Sequence, residues 1–104
     1  MWNGEVAMAC RIDRIKAERD FVVLRLSGRI TQDDVAVLRA AIDHERGTLA
    51  IDLAEVDLVD RDTVTLFAVS EGRGIELRNC PPYIREWVDR ERAQIREDGS
   101  EPGT

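Results

Sequence analysis

The sequence predicts an α/β domain: a small, mixed, largely parallel β-sheet with about three to four helices. Three observations predict it. Two runs of strand-like composition, residues 6–16 and 21–26, flank a charged turn at 17–20 and read as a hairpin. The short apolar run 49–53 carries one acid, the pattern of a strand covered on both faces. Beyond residue 28, strand-like and helix-like segments alternate, which calls for crossover connections and parallel pairing.

Each element has its own local signal. Residues 6–16 (VAMACRIDRIK) alternate loosely between apolar and polar, and FVVLRL at 21–26 is rich in β-branched residues, with Ser27-Gly28 closing the second strand. Thr31-Gln32-Asp33-Asp34 supplies an N-cap and acids for a first helical turn. Val35, Leu38, Ala41 and Ile42 then share one helical face, ending near Gly47. After the run at 49–53, Asp57 reads as a turn residue, and Asp60 or Asp62 can cap a second helix ending near Glu71. There Val64, Leu66, Phe67, Ala68 and Val69 cover a wide arc, which predicts deep burial. Gly72 and Gly74 bracket its end, 75–77 forms the next strand, and Pro82 opens a third helix at its first position. Ile84, Trp87, Val88, Glu91 and Ile95 mark its docking face, with Trp87 expected in the core and Tyr83 half exposed as a rim contact. The domain is expected over 1–97, with a disordered DGSEPGT tail at 98–104.

Composition narrows the function. At 104 residues the chain is one domain with a single core. A net charge of -6, with Lys16 the only lysine and the arginines interleaved with acids, argues against nucleic acid. No apolar run approaches the roughly 20 residues of a bilayer-spanning helix, so direct membrane insertion is not expected. The N-terminus lacks the charged and apolar regions of a signal peptide, and a cytoplasmic location is the default expectation. Cys10 and Cys80 stand far apart without a CxxC pair and read as small apolar residues.

No catalytic constellation emerges. His44 is the only histidine and falls late in the first helix, where a cation is favourable and a surface role follows. Asp52, Glu55, Asp57, Asp60 and Asp62 form the densest acidic stretch, but an aspartyl-phosphate or magnesium site would also need a nearby lysine. Neither a P-loop nor GxGxxG occurs. The expectation is a non-enzymatic protein with no metal and no cofactor.

Four segments, in order and spacing, resemble the STAS domain of bacterial anti-sigma-factor antagonists over about residues 8–92. They are Phe21-Val-Val-Leu-Arg-Leu-Ser-Gly28, Ala50-Ile-Asp-Leu-Ala-Glu-Val56, Leu58-Val-Asp60 and Gly74-Ile-Glu-Leu-Arg-Asn-Cys-Pro81. The resemblance implies a regulatory interaction module whose partner surface is Asp60, Arg61, Asp62, Thr63 and Thr65. In the family the residue after the turn aspartate is a phosphoacceptor serine, and here that position holds Arg61. Phosphorylation at a helix start adds nearly two negative charges and can release a packed partner, a switch that Arg61 cannot operate. Flanking Asp60 and Asp62 can neutralise Arg61, or it is a fixed contact to an acidic partner surface. Asp62 is either an ordinary first-turn acid or a permanent charge where the family has a reversible one. Thr63 and Thr65 read as helix surface or partial core, with Thr63 the candidate for a minor phosphosite. The implied partner is an anti-sigma factor of the ATPase-type kinase class. Alternatives are a transporter ATPase served by a small STAS subunit, or an anion or nucleotide sensed at the helix start after Asp60. A homodimer is left open.

Overall fold

The computed structural model describes residues 10–97, so residues 6–9 of the expected first strand, Trp2 and the tail 98–104 lie outside the described residues. Seven elements follow in chain order: β1 (Cys10–Glu18), β2 (Phe21–Ile30), α1 (Gln32–His44), β3 (Thr48–Val59), α2 (Arg61–Gly72), β4 (Glu76–Arg78) and α3 (Pro82–Glu97). The sheet order is β1-β2-β3-β4. β1 pairs antiparallel with β2, and the two remaining pairings are parallel. This is the mixed, mostly parallel α/β sheet expected, with three helices.

Local chemistry explains the ends. Thr31 caps α1 by accepting from the Asp33 amide at 3.3 Å, while Asp34 Oδ2 accepts from the Thr31 amide at 3.0 Å. Pro82 opens α3 as its spacing predicted. Gly47 is needed where the chain re-enters the sheet, because a Cβ there would sit 2.5 Å from the Asp20 carbonyl oxygen. The hairpin turn uses that same carbonyl to hold the Thr48 amide at 2.8 Å.

Strand lengths depart from expectation. β2 does not close at Ser27-Gly28: it continues to Ile30 through a register shift, with Gly28 at φ 86. β3 runs to Val59 beside it, so Asp57 is a strand residue and only Asp60 separates β3 from α2. α1 ends at His44 instead of near Gly47, and β4 spans Glu76–Arg78, one residue later than expected.

All three helices pack on one face of the sheet. Leu24 and Leu26 of β2, Ile51 and Leu53 of β3 and Leu77 of β4 form one cluster with Leu38, Phe67, Ile84 and Val88 of the helices. The neighbouring strand residues Val23 and Ala50 point away from that cluster. The reading of 49–53 as a strand covered on both faces is therefore corrected: among the described residues, helices cover one face only. On the other, the Arg78 guanidinium spans to the Phe21 ring, 4.9 Å from its centroid.

α3 is fastened to α2 by charge as well as by burial. Glu71 accepts from Arg85 at 2.8 and 2.6 Å and from Arg92 at 3.1 Å. The Arg85 hydrogen bonds, the largest influence, outweigh burial and hold the Glu71 carboxyl below its usual range.

Candidate functional site

The starts of α1 and α2 lie side by side at the ends of β2 and β3, and one carboxylate ties them together. Asp60 is the N-cap of α2: its Oδ1 accepts from the Thr63 amide at 3.1 Å, while Oδ2 accepts from the Gln32 amide, the first residue of α1, at 2.7 Å. A single acid thus satisfies unpaired amides at two helix N-termini, where partial positive charge gathers. Burial opposes ionisation of Asp60, yet the bonds from the Thr63 amide, Thr63 hydroxyl and Gln32 amide prevail and lower its pKa.

Thr63 completes the clamp from within. It is fully buried, with its hydroxyl 3.1 Å from the Ile30 carbonyl oxygen and 2.9 Å from Asp60 Oδ1. One proton serves both acceptors, so the hydroxyl links α2 to the end of β2. The side chain expected on the partner surface, and as a minor phosphosite, thus has no exposed area in this fold. The 33-residue separation between Thr63 and Ile30 explains why the sequence did not show it.

The other expected site residues divide between two grooves flanking α2. Arg61 is exposed in the first turn and, among the described residues, its guanidinium forms no ion pair, so neither flanking aspartate neutralises it. It borders the α2–α3 groove with Tyr83, Trp87 and Arg90. Asp62 is exposed on the opposite side and borders the α1–α2 groove, whose floor includes Val35, Leu66 and Val69. Thr65 is half-buried between them and donates to Glu91 Oε2 at 3.1 Å.

Sequence reasoning missed part of this surface. Val69 was expected to be buried, but it is 43% exposed because α3 packs on the other flank of α2. Ala36 and Ala40, four apart on α1, also line the α1–α2 groove; this small-residue spacing was a signal that the reading left unused. Trp87 is half-buried at a groove edge, short of the core expected for it. Tyr83 is half exposed as expected, with its hydroxyl donating to the Asp57 carbonyl at 2.7 Å, so it fixes the start of α3 to the far end of β3.

Among the described residues no group of three or more His, Cys, Asp or Glu side chains is placed to hold a metal ion. Cys10 and Cys80 are half-buried free thiols, their pKa values raised chiefly by burial. No described helix is long and apolar enough to cross a membrane. What the site offers is a ridge of helix surface with a free cation, a free anion, a mainly apolar groove on the Asp62 side and one lined mainly by polar residues on the Arg61 side.

Comparison with known families gives a match to the model described as "Mlab, STAS domain" over residues 14–92. No curated protein matches the chain. The matched span takes in nearly the whole sheet, both clamped helix starts and most of α3, and with it the chain belongs to the STAS domain family, whose members are in general regulatory and interaction modules.

Proposed function

We propose that this protein is a non-enzymatic docking module resembling an anti-sigma-factor antagonist, with α2 presenting a permanent surface to an ATPase-type protein partner. The observation that carries the reading is the state of the first turn of α2. Arg61 and Asp62 are exposed, while the hydroxyl nearest the helix start, Thr63, is sealed beneath them. By resemblance Arg61 occupies the family's phosphoacceptor position, so the surface has no switch there. Contact is made by charge and shape alone, with Arg61 meeting an acid on the partner.

The same observation favours one partner class. A switched antagonist needs a hydroxyl that a kinase can reach at this turn, whereas a subunit that stays bound does not. The small subunit of a transporter ATPase complex is therefore the stronger form of the proposal, with an anti-sigma kinase second. An anion sensor fits less well, because Asp60 already occupies the Thr63 and Gln32 amides that an anion would seek.

Affinity capture of the tagged protein from lysate of its own organism, with mass-spectrometric identification, tests this reading. An ATPase of either class is expected. Arg61→Glu should weaken capture by about tenfold, a loss of about 1.4 kcal/mol. The variant should melt within about 0.5 kcal/mol of wild type, since a surface acid in a first helical turn is well tolerated. Recovery of the bait alone, or equal capture by the variant, would sink the proposal.

A further inference from the structure

We propose that the helix-free face of the sheet docks a second copy of this chain, face to face about a two-fold axis parallel to the strands. This face lies across the sheet from the α1–α2–α3 surface, so the inference stands apart from the ATPase-docking reading.

Strand register carries the argument. Asp13 pairs with Arg25, Arg25 with Asp52, and Asp52 with Arg78, so one row crosses all four strands as acid, base, acid, base. Paired residues share a face, and this row lies on the face opposite the core. The neighbouring row runs Ile15, Val23, Ala50, Glu76 and is apolar at its centre. Its two middle members are buried, Val23 at 8% exposure and Ala50 at 0%.

An alternating row of four has a definite self-complementarity. A two-fold axis along the strands, midway between β2 and β3, exchanges first with fourth and second with third. Asp13 then faces the second copy's Arg78, and Arg25 faces its Asp52. A two-fold axis running along this row, across the strands, would set each charge on its own copy, which repulsion disfavours. The two middle charges are ready for such a contact, while at the ends Asp13 already pairs with Arg11 at 3.3 Å and Arg78 with Glu76 at 3.1 Å. Among the described residues Arg25 is exposed and forms no ion pair. Asp52 accepts both of its bonds, from the Ala54 amide and the Asn79 side chain, on Oδ1, which leaves Oδ2 for an incoming guanidinium.

The size of the face sets the strength of the contact. Strands about 4.8 Å apart, with about six residues at about 3.3 Å each on β1, β2 and β3 and three on β4, give a planar footprint of about 330 Å². Stable interfaces bury about 800 Å² per partner, so this dimer is weak and depends on concentration. Its polar row makes it depend on salt as well.

Sedimentation equilibrium of the full chain tests the proposal with Asp13→Arg and Arg78→Asp, whose side chains are 41% and 39% exposed. Wild type should form dimers reversibly and lose about tenfold in affinity between low salt and about 0.5 M. Each variant alone should lose about tenfold or more, because like charges then meet at both ends of the row. The two variants mixed in equal amounts should associate with each other as wild type does, since every acid again faces a base. Circular dichroism melts confirm that each variant folds. A wild type that stays monomeric to about 1 mM, single variants that associate normally, or a mixture that fails to associate would each overturn the proposal. Dimers that appear only after removal of residues 1–9 would also overturn it, assigning the face to the chain's own N-terminal segment.

Discussion

Replacing Asp60 with alanine is expected to cost about 2 kcal/mol of stability, more than an ordinary N-cap loss of about 1 kcal/mol. The excess comes from the second helix. Oδ1 caps α2 at the Thr63 amide and Oδ2 holds the first amide of α1, so the truncation frees both starts at once. For a domain of this size the melting temperature should fall by about 8–16 °C. Asp60→Asn separates the two parts. Its carbonyl oxygen can still cap α2, but its NH₂ group meets the Gln32 N–H donor with a donor, so about half the loss should remain. Denaturant melts of the three proteins decide the matter. A wild-type midpoint for Asp60→Ala would mean that the carboxylate does not join the helices.

The same carboxylate sets an acid limit. Its folded pKa is depressed, so its contribution is complete above the unfolded value of about 3.9 and is lost as pH falls through the folded value. Glu71, depressed mainly by its bonds from Arg85, acts in the same direction. Stability should therefore decline as pH drops below about 5, and less steeply in Asp60→Ala, where only the Glu71 part and similar pairs remain.

What the sequence revealed was local, and what it hid depended on distant segments. Thr31 with Asp34, Asp60 with Thr63, and Pro82 act on residues within one helical turn, so capping and element order were legible. The length of β3 was not, because its outer half alternates acids with apolar residues and reads as a turn until the extended β2 is laid beside it. Val69 belongs to an apolar arc, but periodicity does not say which flank of α2 a third helix covers. Ala50 looks like a residue under a second helical layer, yet its face carries no helix among the described residues, and there the Arg78 guanidinium reaches to the Phe21 ring. Of the expected site, Arg61 and Asp62 are exposed. Thr63 turned inward because its hydroxyl bonds to the last residue of β2.

That inward turn yields the largest expected effect. Thr63→Asp, the usual imitation of a phosphate, should destabilise the domain by more than about 3 kcal/mol, because it buries a charge without a cation. The new carboxylate would also stand within hydrogen-bonding distance of Asp60 Oδ1, now 2.9 Å from the hydroxyl, and like charges there repel. Thr63→Val keeps the shape and removes the donor, so the Ile30 carbonyl loses its partner at a cost of about 1–2 kcal/mol. Thr63→Ser keeps the donor and loses one buried methyl, about 1 kcal/mol. The resulting order, Thr above Ser, Ser at or above Val, and Val above Asp, can be read from urea midpoints. A phosphoswitch predicts a different pair of results for Thr63→Asp: a wild-type melt together with lost partner capture. If that pair were found, the hydroxyl would have to be reachable from solvent, and the permanent-surface reading would give way to a switched one. If the variant instead fails to hold the fold while Arg61→Glu folds and loses its partner, stability and recognition separate cleanly within three consecutive residues.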